Sequence, residues 1–556
     1  MLSPVRVPLV LIALMFGLGH AQVAPRTSSE SQTLLRTTIS AGSLPDLRWP
    51  DFSDYKQHVG KFYELSGNSL WWIRDKEPTR QARQMIALMS RADDKGLSAN
   101  DYDAPLWSGR LAKLKPATPS PAEADAVKFD LAMTVCAMRY ISDLHIGRVN
   151  PKRVAFAFDE ESKKYDLAEF LRDHVVNVPD VSAALAQIEP PYPGYRRTMQ
   201  ALQTYRELAN KDDGEQFPPI KKGIEPGEEY PGVPRLTRLL RLVGDFPPDA
   251  KIPDRPVYEG ALVDAVKKFQ GRHGRNATGR IDAQTVADLN VPLSRRVKQM
   301  QWTPERWRWL PGSYQKAPIV ANIPEFRLRA YDKDFNVAVT MKVVVGKSYN
   351  GHNTPVFSEN MQYVEFRPYW SVPYSITRGE MAPQLLKDPD YLAKKGLTVV
   401  DSRQNVVSTG AASPDVIDQL RAGKLFIRQP PGPKNALGLV AFMFPNSYNV
   451  YMHDTPAPEL FAQSRRDFSH GCIRLEKPAD LAAWVLRNNP GWTPERIHAA
   501  MNGANQRVNL AQPIPVLIVY ATVIVLEDGV VRFYDDIYRH DAALEKVLEK
   551  GYPYPW

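Results

Sequence analysis

The pattern of apolar residues changes near residue 315, and that change constrains the fold most. Before it, apolar residues recur at helical spacing. TRQARQMIALMSRADDKG (79–96) places Ala82, Ile86, Leu88 and Met89 on one side and stops at a glycine. AEADAVKFDLAMTVCAMRYISDLH (122–145) and PGYRRTMQALQTYRELAN (193–210) read as further helices. After it, residues alternate. In PEFRLRAYDKDFNVAVTMKVVVGK (324–347), Phe326, Leu328 and Ala330 lie on one strand, Val337, Val339 and Met341 on the next, with Asp-Lys-Asp at the turn. The expectation is a multidomain α+β chain. A helical scaffold occupies 49–211 and carries no convergent polar cluster. A mostly β domain occupies 316–540. Within it, 375–430 is polar and locally helical, an insertion placed to cap a site like a lid.

Residues 212–234 are rich in Pro, Gly and charge and mark a boundary. A small helical unit follows, over 222–293. RLTRLLRLVGDF has leucines at helical spacing, ALVDAVKKFQGRHG sets Leu262, Val266 and Phe269 on one stripe, and DAQTVADLN opens on Asp282 as N-cap with Thr285 three residues later. Residues 22–48 are Ser/Thr-rich and aperiodic, and read as a linker.

The first residues combine Arg6, an apolar stretch Val7–Leu18 and Gly19-His20-Ala21, the pattern of a secretory signal peptide over 1–21 cut after Ala21. The alternative, a membrane anchor, needs ~20 apolar residues, more than this run has. PVLIVYATVIVL (515–526) is short and β-branched and reads as a strand pair. The mature protein is therefore expected outside the cytoplasm. Its net charge of +9 suits an anionic wall or membrane surface, or simply a solvated face. No nucleic-acid motif is present in the sequence.

The chain has only two cysteines. Cys136 sits in an apolar helical run and reads as core. Cys472 sits in DFSHGCIRLEKPAD (467–480), after a glycine and two residues past His470. An exported chain that keeps an unpaired cysteine points to function. An unperturbed thiol, pKa about 8.5, needs a base to attack. His470 and His453, the latter 19 residues upstream, are the candidates. The backbone N–H groups of Gly471 and Cys472 could face a developing oxyanion. Three other readings stand beside this one: a Cys136–Cys472 disulfide, a zinc site of His453, His470 and Cys472 whose spacing fits no usual pattern, and three ordinary loop residues.

Two resemblances sharpen the expectation. AVKKFQGRHGRNATGRIDAQTVADLN is similar to the peptidoglycan-binding repeat domain, a three-helix module. HDTP (453–456) followed by SHGCIRLEKPADLA (469–482) resembles the L,D-transpeptidase catalytic domain, supported by TPVF (354–357) and RPYWSVP (367–373). DLHIGRVNPKR (143–153) resembles the scaffold of the large periplasmic class of that family, and the resemblance covers nearly the whole mature chain.

The resemblance implies a periplasmic enzyme of cell-wall biosynthesis that needs no cofactor or metal. Its donor and acceptor would be peptidoglycan stem peptides, with the wall polymer and cell-wall synthesis proteins as partners. Cys472 would be the nucleophile and His453 its base. The enzyme would form 3→3 cross-links with release of terminal D-alanine, and carbapenems would acylate Cys472. Asp454, through its side chain or a nearby backbone carbonyl, would orient His453. Tyr451 would aim its hydroxyl into the site, and Ser469, His470 and Gly471 would shape the loop. Arg474 would pair with a stem carboxylate or brace the loop through a salt bridge. Trp370 and Tyr369 would line the cleft, or fill the core as aromatics in a β domain more often do. The same acyl-enzyme could instead serve an L,D-carboxypeptidase or attach a lipoprotein to the wall. A non-catalytic wall-binding protein is the alternative of another class.

Overall fold

The computed structural model describes residues 28–75, 77–114, 123–159, 163–251, 255–311, 318–349 and 351–554. The expected signal peptide, with the first residues of the expected linker, lies outside the described residues. The rest of that linker is not featureless. Ser29–Ala41 is a helix, capped by Ser28 accepting from the Ser31 N–H and ended by Gly42 at φ 64°. It buries little beyond Leu35, which is why no apolar period announces it.

The described residues form two compact units. The first comprises residues 28–89, 102–138 and 166–184 and is helical. Its helix Arg80–Ser90 buries Ala82, Met85 and Met89, whereas Ile86 and Leu88 are only half-buried. Contrary to expectation, this unit holds a convergent polar cluster. The Asp130 carboxylate accepts from the Tyr63 hydroxyl at 2.7 Å and the Trp71 and Trp72 N–H groups at 3.2 and 2.7 Å. Thr134 Oγ1 accepts from Trp72 Nε1 at 2.9 Å and donates to the Asp130 carbonyl at 3.0 Å. Burial raises the Asp130 carboxyl to about 6 against these donors. Its members come from three separated stretches, so no local motif reveals it.

The second unit contains residues 90–101, 139–159, 163–165 and the described residues from 185 onward. Helices Val233–Leu242, Ala261–Arg272 and Ala283–Leu289 close on a core of Leu236, Leu240, Leu262, Val266, Phe269 and Leu289. The expected Asp282 cap is present, accepting from the Thr285 N–H at 2.8 Å.

A ten-stranded sheet follows, counted among the described residues. Its strands are β1 (Phe156–Ala157), β2 (Ile319–Asn322), β3 (Arg327–Tyr331), β4 (Val337–Gly346), β5 (Val356–Phe366), β6 (Val440–Met443), β7 (Met452–His453), β8 (Asp467–Ser469), β9 (Ile473–Leu475) and β10 (Gln506–Val519). The order is β6-β7-β9-β4-β3-β2-β10-β5-β1, with β8 beside β4. Because β6 also pairs with β5, the path closes into a barrel-like arrangement. The alternation read at β3 and β4 holds only in part. Leu328, Ala330 and Met341 are buried, but Val337 is exposed and Phe326 sits in a turn at φ 55°. The expected strand pair over 515–526 is two strands that do not pair. The end of β10 joins the barrel, while Val523–Val525 pairs with Val531–Phe533.

The expected capping insertion is more than a polar helical segment. Thr398–Val400, Val406–Ser408, Phe426–Gln429 and Trp370–Ser371 form a separate four-stranded sheet. With helices such as Pro414–Arg421 it encloses its own core of Leu385, Leu392, Val399, Ile417, Leu420 and Ile427. Its strands have at most four residues, too short to show alternation.

Candidate active site

Strand pairing assembles the site. β7 runs parallel to β9 in a register that sets Met452 opposite Ile473 and His453 opposite Arg474. The Ile473 N–H donates to the Tyr451 carbonyl at 3.1 Å. Side chains alternate along a strand, so Tyr451, His453, Cys472 and Arg474 share one face. His453 and Cys472, 19 residues apart in the sequence, thus come onto neighbouring strands.

His453 is buried, and its Nδ1 lies 2.5 Å from the backbone carbonyl of Asp454. Donation from Nδ1 leaves Nε2 with its lone pair. This carbonyl, and not the Asp454 carboxylate, holds the ring. The Asp454 carboxylate instead accepts from the Leu439 N–H at 2.8 Å. Gly438 permits that approach: a Cβ there would stand 2.4 Å from Asp454 Oδ2. Burial, helped by the Arg474 charge, pushes His453 down to about 3. The imidazole is neutral across ordinary pH.

Cys472 is half-buried, and neither cysteine is in a disulfide. Its Sγ donates to the Asn449 carbonyl at 3.8 Å. Burial pushes the thiol up to about 11, while the Tyr451 backbone and hydroxyl and the Arg474 charge act the other way. The resting pair is a neutral thiol and a neutral imidazole.

The loop before Cys472 is fixed by small polar groups. Ser469 Oγ donates to the Cys472 carbonyl at 2.6 Å and accepts from the Gly471 N–H at 3.1 Å. The Gly471 N–H is thus occupied, which removes it from the expected oxyanion pair. Gly471 has φ 120°, a conformation that favours glycine. Thr354 Oγ1 donates to its carbonyl at 2.7 Å. His470 turns to the insertion, with Nε2 2.8 Å from Glu380 Oε1.

Arg474 forms no salt bridge among the described residues, and its Nε is buried without a hydrogen-bond partner. The expected bracing ion pair is absent there. Trp370 pairs with Gln429 in the insertion's sheet and packs on the insertion core. Tyr369 is exposed, with the Arg428 guanidinium 4.6 Å above its ring. Glu380, His352 and Asn449 also meet at this loop without a sequence signal of their own. His352 lies two residues before Thr354 of TPVF, but Glu380 and Asn449 belong to no motif and meet the loop only through folding.

Three family matches accompany this geometry. Residues 57–202 match a scaffold domain, 230–289 a "Putative peptidoglycan binding domain" and 316–503 the L,D-transpeptidase catalytic domain. A relative from Haemophilus influenzae (strain ATCC 51907 / DSM 11121 / KW20 / Rd), named "Putative L,D-transpeptidase", is 29% identical over 294 residues. The match covers 51% of this chain and 56% of that protein, so the chain spans little more than half of its relative's length. The solved L,D-transpeptidase (residues 123–326) from Xylanimonas cellulosilytica DSM 15894 aligns with 54% of this chain and 100% of that one at 15% identity. The TM-score of that alignment is 0.17.

Proposed function

We propose that this chain, which carries an L,D-transpeptidase catalytic domain at 316–503 beside a scaffold and a peptidoglycan-binding domain, cross-links peptidoglycan stems through an acyl-enzyme on Cys472. The observation that carries this reading is the shared face of His453, Cys472, Tyr451 and Arg474 on adjacent parallel strands. No helix among the described residues is long and apolar enough to cross a membrane. Peptidoglycan-acting domains support a working site outside the cytoplasm.

In this mechanism Cys472 Sγ attacks the carbonyl of the third stem residue, diaminopimelate, as His453 Nε2 takes the thiol proton. Neither group is charged at rest, so proton transfer accompanies attack. The new C–S bond forms a tetrahedral oxyanion. With the Gly471 N–H engaged by Ser469, the Cys472 N–H and the Tyr451 hydroxyl are the donors left to meet it. The C–N bond to terminal D-alanine breaks, and His453 returns its proton to the leaving amine. The side-chain amine of a second stem's diaminopimelate then attacks the thioester. The C–S bond breaks, a 3→3 amide forms, and the amine proton passes through His453 to the thiol. Arg474, without a carboxylate partner among the described residues, is free to receive one from a stem.

The test is incubation of the chain from residue 22 onward with disaccharide-tetrapeptide stems, read by mass spectrometry against Cys472→Ala. A dimer joined through two diaminopimelates, absent in the variant, supports the transpeptidase. Tripeptide alone would redirect the reading to an L,D-carboxypeptidase. No turnover and no carbapenem adduct on Cys472 would overturn the enzymatic reading and leave a wall-binding protein.

A further inference from the structure

We propose that His352, Glu380 and His470 form a binding site for a divalent transition metal of the zinc class, and that metal bound there ties the insertion to the Cys472 loop. The three side chains come from three places: the loop between β4 and β5, the insertion, and the loop between β8 and β9. Each offers one ligand atom, and these atoms all lie within 4.8 Å of one another. His470 Nε2 stands 2.8 Å and His352 Nε2 3.8 Å from Glu380 Oε1. The two imidazoles meet edge to face with centroids 4.7 Å apart.

Two imidazoles and one carboxylate are a donor set that zinc accepts, at about 2.0–2.2 Å each, leaving a fourth position open. Tetrahedral geometry at those lengths separates ligand atoms by roughly 3.3–3.5 Å. The two separations from Glu380 bracket that value, so small side-chain shifts suffice there. The side chains of His352, Glu380 and His470 are 23%, 46% and 29% exposed, so an ion can enter from solvent.

The two histidines stand on a platform that is already rigid. The Gly346 N–H donates to Thr354 Oγ1 at 2.8 Å, which in turn donates to the Gly471 carbonyl. The Tyr538 hydroxyl accepts from the Thr354 N–H at 3.2 Å and donates to the Gly346 carbonyl at 2.5 Å. A Cβ at Gly346 would stand 1.9 Å from the His352 carbonyl, so this packing requires glycine. These bonds fix the His352 loop to the His470 loop before any metal arrives. The third ligand, Glu380, belongs to the insertion. Metal on all three therefore joins insertion and loop beside Cys472. This set differs from the zinc reading of the sequence: His453 faces its own strand partners, and His352 and Glu380 take the places given there to His453 and Cys472.

The test is calorimetric titration of Zn²⁺ into the tag-free chain from residue 22 onward, with alkylation of Cys472 followed in parallel by peptide mass. It needs no substrate, so it stands apart from which acyl transfer Cys472 performs. One equivalent should bind. His352→Ala and Glu380→Gln should each weaken binding by about 100-fold or more, beyond the 10–100-fold typical of second-shell changes. Cys472→Ala should bind as the wild type does. Zinc should slow Cys472 alkylation in the wild type and not in Glu380→Gln. Absence of saturable binding, binding unchanged in both ligand variants, or binding lost in Cys472→Ala would each overturn the site.

Discussion

The Asp130 cluster and the Cys472 site are both buried gatherings of polar side chains, and they are completed in opposite ways. Around Asp130, both carboxylate oxygens accept hydrogen bonds, and Tyr63, Trp72 and Thr134 bond to it or to one another. Around Cys472, the Arg474 Nε is buried without a partner, and His453 is held through Nδ1 alone among the described residues. Satisfied buried groups rigidify a fold, whereas unsatisfied ones keep bonding capacity for a ligand. The first cluster is built to hold residues in place and the second to be finished by a substrate.

Substitution at the centre of each cluster should separate these roles. Cys472→Ala should lower turnover at least about a thousandfold, as expected when a nucleophile is removed. Its unfolding midpoint in urea should barely move, because it deletes one half-buried sulfur. Retained turnover would place the chemistry elsewhere. Asp130→Ala should do the reverse. It leaves the Trp71 and Trp72 N–H groups without their acceptor, a loss of about 4 kcal/mol at 1–3 kcal/mol per orphaned group, while the Tyr63 hydroxyl keeps Thr134 as a partner. The urea transition of the unit that contains it should shift down, while carbapenem acylation of Cys472 in the folded protein stays unchanged. A shift of acylation with no shift of stability would erase the contrast.

Charge sharpens the comparison. Burial raises both the Asp130 carboxyl, to about 6, and the Cys472 thiol, to about 11, in each case favouring the neutral form. It lowers His453 to about 3, again favouring the neutral form. Alkylation of Cys472 by iodoacetamide should therefore climb with pH and show no plateau below about pH 10. His453 should impose no acid limb on acylation above about pH 4. A plateau near pH 7 would mean a resting thiolate–imidazolium pair and would show that burial does not dominate this site. Mapping by peptide mass keeps Cys472 apart from the buried Cys136.

Legibility in the sequence followed the same divide. The helical and strand-rich halves, the three-helix module and the His453 and Cys472 motifs announce themselves through period and spacing, which are local. The Asp130 cluster, the insertion's own sheet and Glu380 do not. Asp130 meets Trp71 and Tyr63 across more than fifty residues, and Glu380 meets His470 across ninety. The helix Ser29–Ala41 hid because it buries so little. Arg474 was legible as a residue, but its lack of a carboxylate partner is a property of the packed protein. Trp370 packs on the insertion core, and an aromatic residue beside a motif serves a core as readily as a cleft, so residue type alone does not separate the two.

The smallest expected effect is at Tyr451, where the two kinds of cluster come closest. Its hydroxyl can offer the Cys472 sulfur a hydrogen bond that favours the charged form, where the Tyr63 hydroxyl donates to Asp130 at 2.7 Å. If that bond were only structural, Tyr451→Phe would cost about 1 kcal/mol of stability and leave the thiol alone. At the Cys472 site it should do something else. The hydroxyl favours the thiolate, so its loss should raise the thiol further. A net hydrogen bond of about 0.5–1.5 kcal/mol corresponds to roughly half to one pH unit. The alkylation profile should move upward by that amount. Turnover should fall about tenfold or more with KM little changed, because the same hydroxyl is a donor for the oxyanion. A profile that stays in place while turnover falls would assign Tyr451 to the oxyanion alone. A loss of stability with neither change would make it a second Tyr63.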